Sequence, residues 1–399
     1  MSNLPLSHLT IIDIGNSLAG AFATKLLADF GATVVVIESS TGSPIRKLMP
    51  DELRLKWWHA IGKNKQSVLI NSMSPQSDAI LLRIMEDADI IFTDIGPLGW
   101  SNCPWLGKLD QLNHQPLVVD LYATGVDLPH LWKGTSSAVF TTAITGMMHL
   151  TGWEDGPPVS AEVPIAEYLA GMMAAMGAIA ETNYTKIHQT QPRNISMAMH
   201  EAVLRMIEWQ LPIASLQGAP VSRNGNNFPM NAGISNMPKT KDGQYIAISA
   251  ANQDVALRLL RLIGGQSLAE DPKYATPANR AENMDEIYDL LNEWVSTKTQ
   301  AEILELAQQA DVVVGPIYNT KNVLEDQAIR ERGYIQARQT VDGQDFCEVT
   351  CIPSLQKKGL KIEVAPILGA NTKEFLTQLG ITEMHYQELI SQGIIGQVA

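Results

Sequence analysis

Apolar residues in the first 125 positions gather in short unbroken runs. Residues 10–14, 33–37, 67–70, 90–93 and 117–122 are such runs, rich in Val and Ile, and Gly15 and Glu38 close the first two. A strand buried on both faces leaves this pattern, whereas a half-exposed strand alternates. Between 21 and 30 the apolar positions follow a helical period that Gly31 stops. Helical stretches separate other runs too. Strands alternating with helices predict a doubly wound α/β domain of Rossmann type, built on a parallel sheet.

Past residue 164 the pattern changes. Met, Ala and Gly dominate 164–181, which predicts a helix whose small residues let a neighbouring backbone come close. A second long helix is predicted from 197 to about 217, closed by Gly218 and Pro220. Residues 222–243 are rich in Asn, Gly and Pro and read as loop. Asp242-Gly243 then turns the chain into an alternating strand at 244–249. Amphipathic helices near 252–264 and 282–310, a β-branched run at 311–316 and a terminal helix near 372–391 follow.

Composition narrows the classes. A chain of 399 residues predicts two or three structural units, and 45% apolar residues exclude disorder as the main state. The formal charge of −13 argues against nucleic acid as a partner. The longest apolar stretch, 169–180, has 12 residues, too few for a membrane span of about 20. The first residues carry no basic stretch of the secretory kind. Three cysteines, Cys103, Cys347 and Cys351, form a sparse, odd set that suits a reducing cytoplasm. The histidines are scattered without metal-ligand spacing, so no metal is expected.

Three features carry candidate chemistry. The turn at 13–20 follows a strand and opens a helix, where backbone N–H groups can receive a phosphate; Glu38 stands where a dinucleotide site puts its ribose acid. The glycines do not follow G-x-G-x-x-G, so a nicotinamide oxidoreductase rests on the strand–helix–strand unit alone. Segment 46–65 holds Arg46, Lys47, Arg54, Lys56, Lys63 and Lys65 against Asp51 and Glu52, a local charge of +4 in an acidic chain. Basic side chains so placed suit phosphates, and a solvated helix face is the other reading. Glu167 lies at the start of the Met/Ala/Gly helix. It is either a reactive carboxylate or a first-turn acid that complements the helix dipole.

Nine segments in order resemble the family III CoA-transferases, the group of formyl-CoA and carnitine CoA-transferases and α-methylacyl-CoA racemases. They include Leu27-Ala28-Asp29-Phe30-Gly31-Ala32 running on to Glu38, Lys63-Asn64-Lys65, Ala88-Asp89-Ile90-Ile91, Thr145-Gly146-Met147, Gly156-Pro157-Pro158 and Ala166-Glu167-Tyr168-Leu169-Ala170-Gly171. Met199-His200-Glu201-Ala202, Arg223-Asn224-Gly225-Asn226 and Asp242-Gly243-Gln244-Tyr245-Ile246 complete the set. The resemblance implies a Rossmann-like large domain from 1–195 and 330–399, a linker helix at 196–224 and a small α+β domain with its return linker at 225–329. It also implies a homodimer of interlocked rings, with Gly171, Ala174 and Ala178 suited to that packing.

The resemblance further implies transfer of CoA from an acyl-CoA to a small carboxylic acid through a covalent carboxylate. Glu167 stands where the family has its catalytic Asp. Positions that match CoA contacts are Ser17, Leu18, Ala19, Ser39, Arg46, Lys63, Lys65, Gly96, Asn102 and Lys133. The loop at 88–107 lacks the family's arginine for the CoA phosphates, with Asn102 at the matching place. Gly134 is followed by Thr135 and Ser136, so the racemase His-Asp pair is absent. A CoA-binding paralogue, or the partner subunit of an active transferase, is the other class of function. Substrate choice is expected in loops 123–136 and 222–240.

Overall fold

The computed structural model describes residues 4–72, 74–100, 103–124, 138–226, 233–340, 343–355 and 362–396. The chain divides into two compact units: residues 1–147, 160–216 and 328–399 form the first, and 148–159 with 217–327 the second. Residues 196–216, expected as a linker, thus belong to the first unit.

The first unit begins with β1 (Thr10–Asp13), α1 (Leu18–Asp29), β2 (Thr33–Glu38), α2 (Asp51–Gly62), β3 (Lys65–Leu69), α3 (Asp78–Met85), β4 (Ile90–Thr93) and β5 (Leu117–Tyr122). It continues through α4 (Ala138–Ile144), α5 (Ile165–His188), β6 (Ile195–Ala198), α6 (Met199–Leu204) and α7 (Gln210–Gln217). The expected helix from 197 to 217 is therefore divided. Its first residues pair with β5, because Ile195 and Met197 bring apolar side chains to the core under α1 and α5.

Six strands pair in parallel in the order β3-β2-β1-β4-β5-β6. β4 and β5 are buried at every position and β2 at all but the first, which is why their sequences read as continuous apolar runs. One face is covered by α3 and the C-terminal helices, the other by α1 and α5.

Gly171 sets the spacing of α1 and α5. A Cβ there would lie 2.6 Å from the Ala19 carbonyl oxygen. Ala174 and Ala178 are likewise buried in the core that α5 shares with α1 and the sheet. The small-residue face expected at a dimer contact is thus occupied within the chain.

The second unit contains β7 (Ile234–Asn236), β8 (Ile246–Ala250), α8 (Gln253–Ala269), α9 (Pro277–Glu282), α10 (Met284–Ser296), α11 (Gln300–Gln309), β9 (Val314–Pro316) and α12 (Thr320–Glu325). Its strands form an antiparallel sheet in the order β7-β8-β9. Ile246, Ile248, Leu259, Leu291 and Ile303 centre its core. The expected helix at 282–310 is two helices, because Thr299 caps α11 through a reciprocal pair with Glu302.

After α13 (Gln327–Arg332), β10 (Ile335–Gln339) and β11 (Asp345–Val349) form a hairpin, and α14 (Thr372–Gln378) and α15 (Glu383–Ser391) close the chain. This last segment blunts the open edge of β3. The Ser67 and Leu69 N–H groups donate to Asn371 Oδ1 and Thr372 Oγ1, both at 3.0 Å. Asn71 N–H also donates to the Ile394 carbonyl at 2.9 Å.

Candidate active site

Strand order reverses between β1 and β4, and an open parallel sheet offers its crevice at that point, beyond the carboxyl ends of the strands. Three aspartates stand there. Asp13 accepts from Thr24 Oγ1 at 2.6 Å and faces the Lys65 ammonium at 3.5 Å. Asp120 accepts from Gly96 N–H at 3.2 Å and from Trp100 Nε1 at 2.8 Å. Asp94 accepts from Asn16 N–H at 2.8 Å. Burial raises the Asp94 pKa from the ordinary 3.8 to about 6, with Asp13 and Asp120 adding to the rise against the Asn16 N–H.

α1 opens directly over this end. Ser17 caps it, its Oγ accepting from Gly20 N–H at 3.1 Å. The close approach of α1 and α5 brings the first turn of α5 to the same place, and Tyr168 packs on Phe22 with ring centroids 4.5 Å apart. Glu167 is thereby held beside Leu18 and Asp94 at the wall of a cavity of about 530 Å³. Its Oε2 is buried with no hydrogen-bond partner among the described residues. Burial pushes its pKa up. The remaining wall includes Asn16, Ser17, Ile45, Leu48, Met49, Trp57, Ala123, Pro164 and Met199.

The structure brings together Ser17, Leu18 and Glu167 from the sequence reading, and places several other residues elsewhere. Ala19 is fully buried under α5. Ser39 is exposed and bonds Thr41. Gly96 takes a positive φ of 75° and serves Asp120 through its N–H. Asn102 and Lys133 lie outside the described residues.

The basic segment differs most from expectation. Lys63 is 1% exposed; its ammonium donates to the Val349 carbonyl at 2.7 Å and pairs with Glu348 at 3.3 Å. Lys65 is buried between Asp13, Thr24 Oγ1 and the Ala21 carbonyl. Burial lowers its pKa, with Asp13 opposing. Arg46 forms a two-point pair with Glu38 at 2.7 Å on each arm and stacks on Trp58. Arg54 pairs with Asp51. Lys63, Lys65 and Arg46 are thus spent on buried carboxylates of the chain itself, Arg54 makes only a surface pair, and Lys47 and Lys56 have no ion-pair partner among the described residues. Positive charge in the sequence marked internal pairing as much as a ligand.

Sequence reasoning missed Asp94. Its signal was the one that singled out Glu38, an acid closing a buried apolar run, here at the switch point. Trp57 gave no signal, and Met199 only as part of a matching segment, since their place on the cavity depends on packing.

A Rossmann-type sheet with buried carboxylates at its switch point and a cavity beside them defines an α/β fold with a candidate site. The family model for CoA-transferase family III matches residues 6–372. The chain belongs to that family. It is 29% identical to succinyl-CoA–D-citramalate CoA-transferase of Chloroflexus aurantiacus, over 95% of each chain. It is 26% identical to formyl-CoA:oxalate CoA-transferase of Streptomyces coelicolor, over 99% of this chain and 100% of that one. A CAIB/BAIF family protein from Brucella suis has the same fold, with a TM-score of 0.81, 22% identity and coverage of 95% of this chain and 100% of that one. No described helix is long and apolar enough to cross a membrane.

Proposed function

We propose that this chain transfers CoA from an acyl-CoA to a small carboxylic acid, with Glu167 as the covalent nucleophile. The observation that carries this reading is the Glu167 carboxyl itself, half-buried on a cavity at the sheet's switch point with one oxygen unpartnered. Its ionised oxygen attacks the thioester carbonyl carbon; the C–S bond breaks, and CoA leaves as thiolate with an acyl–glutamyl anhydride left behind. The thiolate attacks the glutamyl carbonyl, which releases the acyl group as a carboxylate and leaves glutamyl-CoA. The acceptor carboxylate then displaces CoA to form a new anhydride. Attack of the thiolate on the acceptor's carbonyl gives the new acyl-CoA and returns Glu167.

A raised pKa makes the ionised carboxylate a stronger nucleophile. The α5 N-terminus favours its charge. The first-turn amide of α1 at Leu18, on the same cavity wall, is the kind a helix leaves without an intrahelical acceptor, and it suits a developing oxyanion. Ser17, Leu18, Lys47 and Lys56, with Asn102 and Lys133, are the proposed CoA contacts, and no metal has a part in the chemistry.

The test is incubation with acyl-CoA, trapping with hydroxylamine or borohydride, and mass spectrometry of the peptide carrying residue 167. An adduct on Glu167 that vanishes in Glu167→Ala is expected; full turnover in Glu167→Ala rejects the reading. The internal pairing of Lys63, Lys65 and Arg46 favours, as a second reading, a CoA-binding paralogue or partner subunit with weakened phosphate contacts. Formation of a stoichiometric complex with a second subunit, with no turnover in isolation, would select it.

A second copy of this chain is the proposed partner. Support comes from the apolar surface of α5 to α7, where Met176 is 69% and Leu216 88% exposed. Light scattering gives the mass. The cytoplasm is the proposed location, in keeping with three unpaired cysteines of which Cys347 is exposed.

A further inference from the structure

We propose that the cavity beside Glu167 seats an apolar acyl group, alkyl or aromatic, and excludes one that ends in a second carboxylate. This rests on the transferase reading and names its substrate class. The wall is hydrocarbon over most of its extent, with Leu18, Ile45, Leu48, Met49, Trp57 and Met199 contributing. The polar edge of Trp57 is already spent, because its Nε1 donates to the Ile45 carbonyl at 2.8 Å. Its ring therefore meets the cavity as an apolar surface. Leu48 is 50% exposed, a large apolar side chain with little cover of its own. Met49 and Met199 are unbranched thioethers that adapt to chains of different shape.

The ionisable groups among the described wall residues are Asp94 and Glu167, both acids. Lys, Arg and His are absent from the described wall. A carboxylate tail against the described wall would lose water, face two acids and meet no cation among the described lining residues, an unfavourable setting for a charge. An alkyl tail gains affinity by about fourfold for each buried methylene. The dicarboxylates in the names of related enzymes thus point away from this cavity. Asn16 and Ser17 lie on the wall near Glu167, where the reacting carbonyl and thioester sit.

The test uses 2-oxoalkyl-CoA thioethers, which bind and cannot transfer. Titration calorimetry with the whole chain compares propyl, pentyl and carboxyethyl tails. The pentyl compound is expected to bind about 16-fold tighter than the propyl one (two methylenes), and the carboxyethyl compound weaker than both. Leu48→Arg should reverse the order of pentyl and carboxyethyl. Equal affinities, tighter binding of the carboxyethyl compound, or no binding of any thioether overturns the proposal. Failure of the transferase reading shows separately, as the absence of a hydroxylamine-sensitive adduct on Glu167 with hexanoyl-CoA while the binding order stands.

Discussion

Asp94→Asn tests the electrostatics of the switch point. Asp94 is half-buried, and its pKa rises from 3.8 to about 6 because burial and the neighbouring Asp13 and Asp120 disfavour its charge. A carboxyl with a raised folded-state pKa binds its proton more tightly in the folded chain. It therefore weakens the fold as pH rises from 3.8 through 6, and its full cost is present above 6. The shift corresponds to about 3 kcal/mol of destabilisation at high pH, and about 1.4 kcal/mol of that accrues between pH 5 and pH 8. Asparagine keeps an oxygen to accept from Asn16 N–H and carries no charge. The variant should gain stability relative to the parent, and gain about 1.4 kcal/mol more at pH 8 than at pH 5. Urea unfolding followed by tryptophan fluorescence at the two pH values measures this. ¹³C-carboxyl aspartate labelling, with the variant identifying the missing resonance, follows the titration directly. Parallel stabilities of parent and variant at both pH values, or an Asp94 resonance that titrates near 4, would refute the reasoning.

Three more outcomes follow from the same geometry. Glu167→Asp withdraws the carboxylate by one methylene from a cavity shaped around Glu, and displacement of about 1 Å costs on the order of 10²-fold in kcat; a rise in kcat would mean that the site retains the spacing of the family Asp. Lys65→Ala strands Asp13 in the core and should cost roughly 3–5 kcal/mol in unfolding experiments. Its CoA affinity, measured on the folded protein, should stay within a few fold, and a selective loss of affinity would restore Lys65 to the binding site. Glu348 is buried, and although burial opposes it, His59, Arg338 and Lys63 hold its pKa at about 2 from an ordinary 4.5. That network contributes about 3 kcal/mol above pH 4.5, which is lost as pH falls toward 2. Acid unfolding of Glu348→Gln should accordingly lack this component, with a shallower slope between pH 4.5 and 2.

The large sheet was legible because burial on both faces leaves an unmistakable pattern. The runs at 90–93 and 117–122 coincide with β4 and β5, and Glu38 closes β2 as read. Breaks inside helical stretches were not legible. Residues 195–198 have a composition that suits a helix, and only pairing with β5 makes them a strand. Caps at Thr299 and Thr382 split two expected long helices, and they depend on side-chain reach that periodicity does not record. At the site, Glu167 and the Ser17–Leu18 turn were visible because they sit at element boundaries. The fate of Lys63 and Lys65 was hidden: their partners Glu348 and Asp13 are 285 and 52 residues away. A basic cluster in one dimension can be a set of separate buried pairs in three.

The blunted edge of β3 also bears on how the chain is made. The groups that cap Ser67 and Leu69 arrive 304 and 303 residues after them. At translation rates of about 5–20 residues per second, the nascent chain waits on the order of 15–60 s for them. Throughout that interval the Ser67 and Leu69 amides lie on an open sheet edge that any extended segment could pair with. A ribosome stalled before residue 371 would thus release a sheet with the β3 border bare. Residues 371–394 act as the chain's own seal for that edge, which makes their removal more hazardous to solubility than their distance from Glu167 suggests.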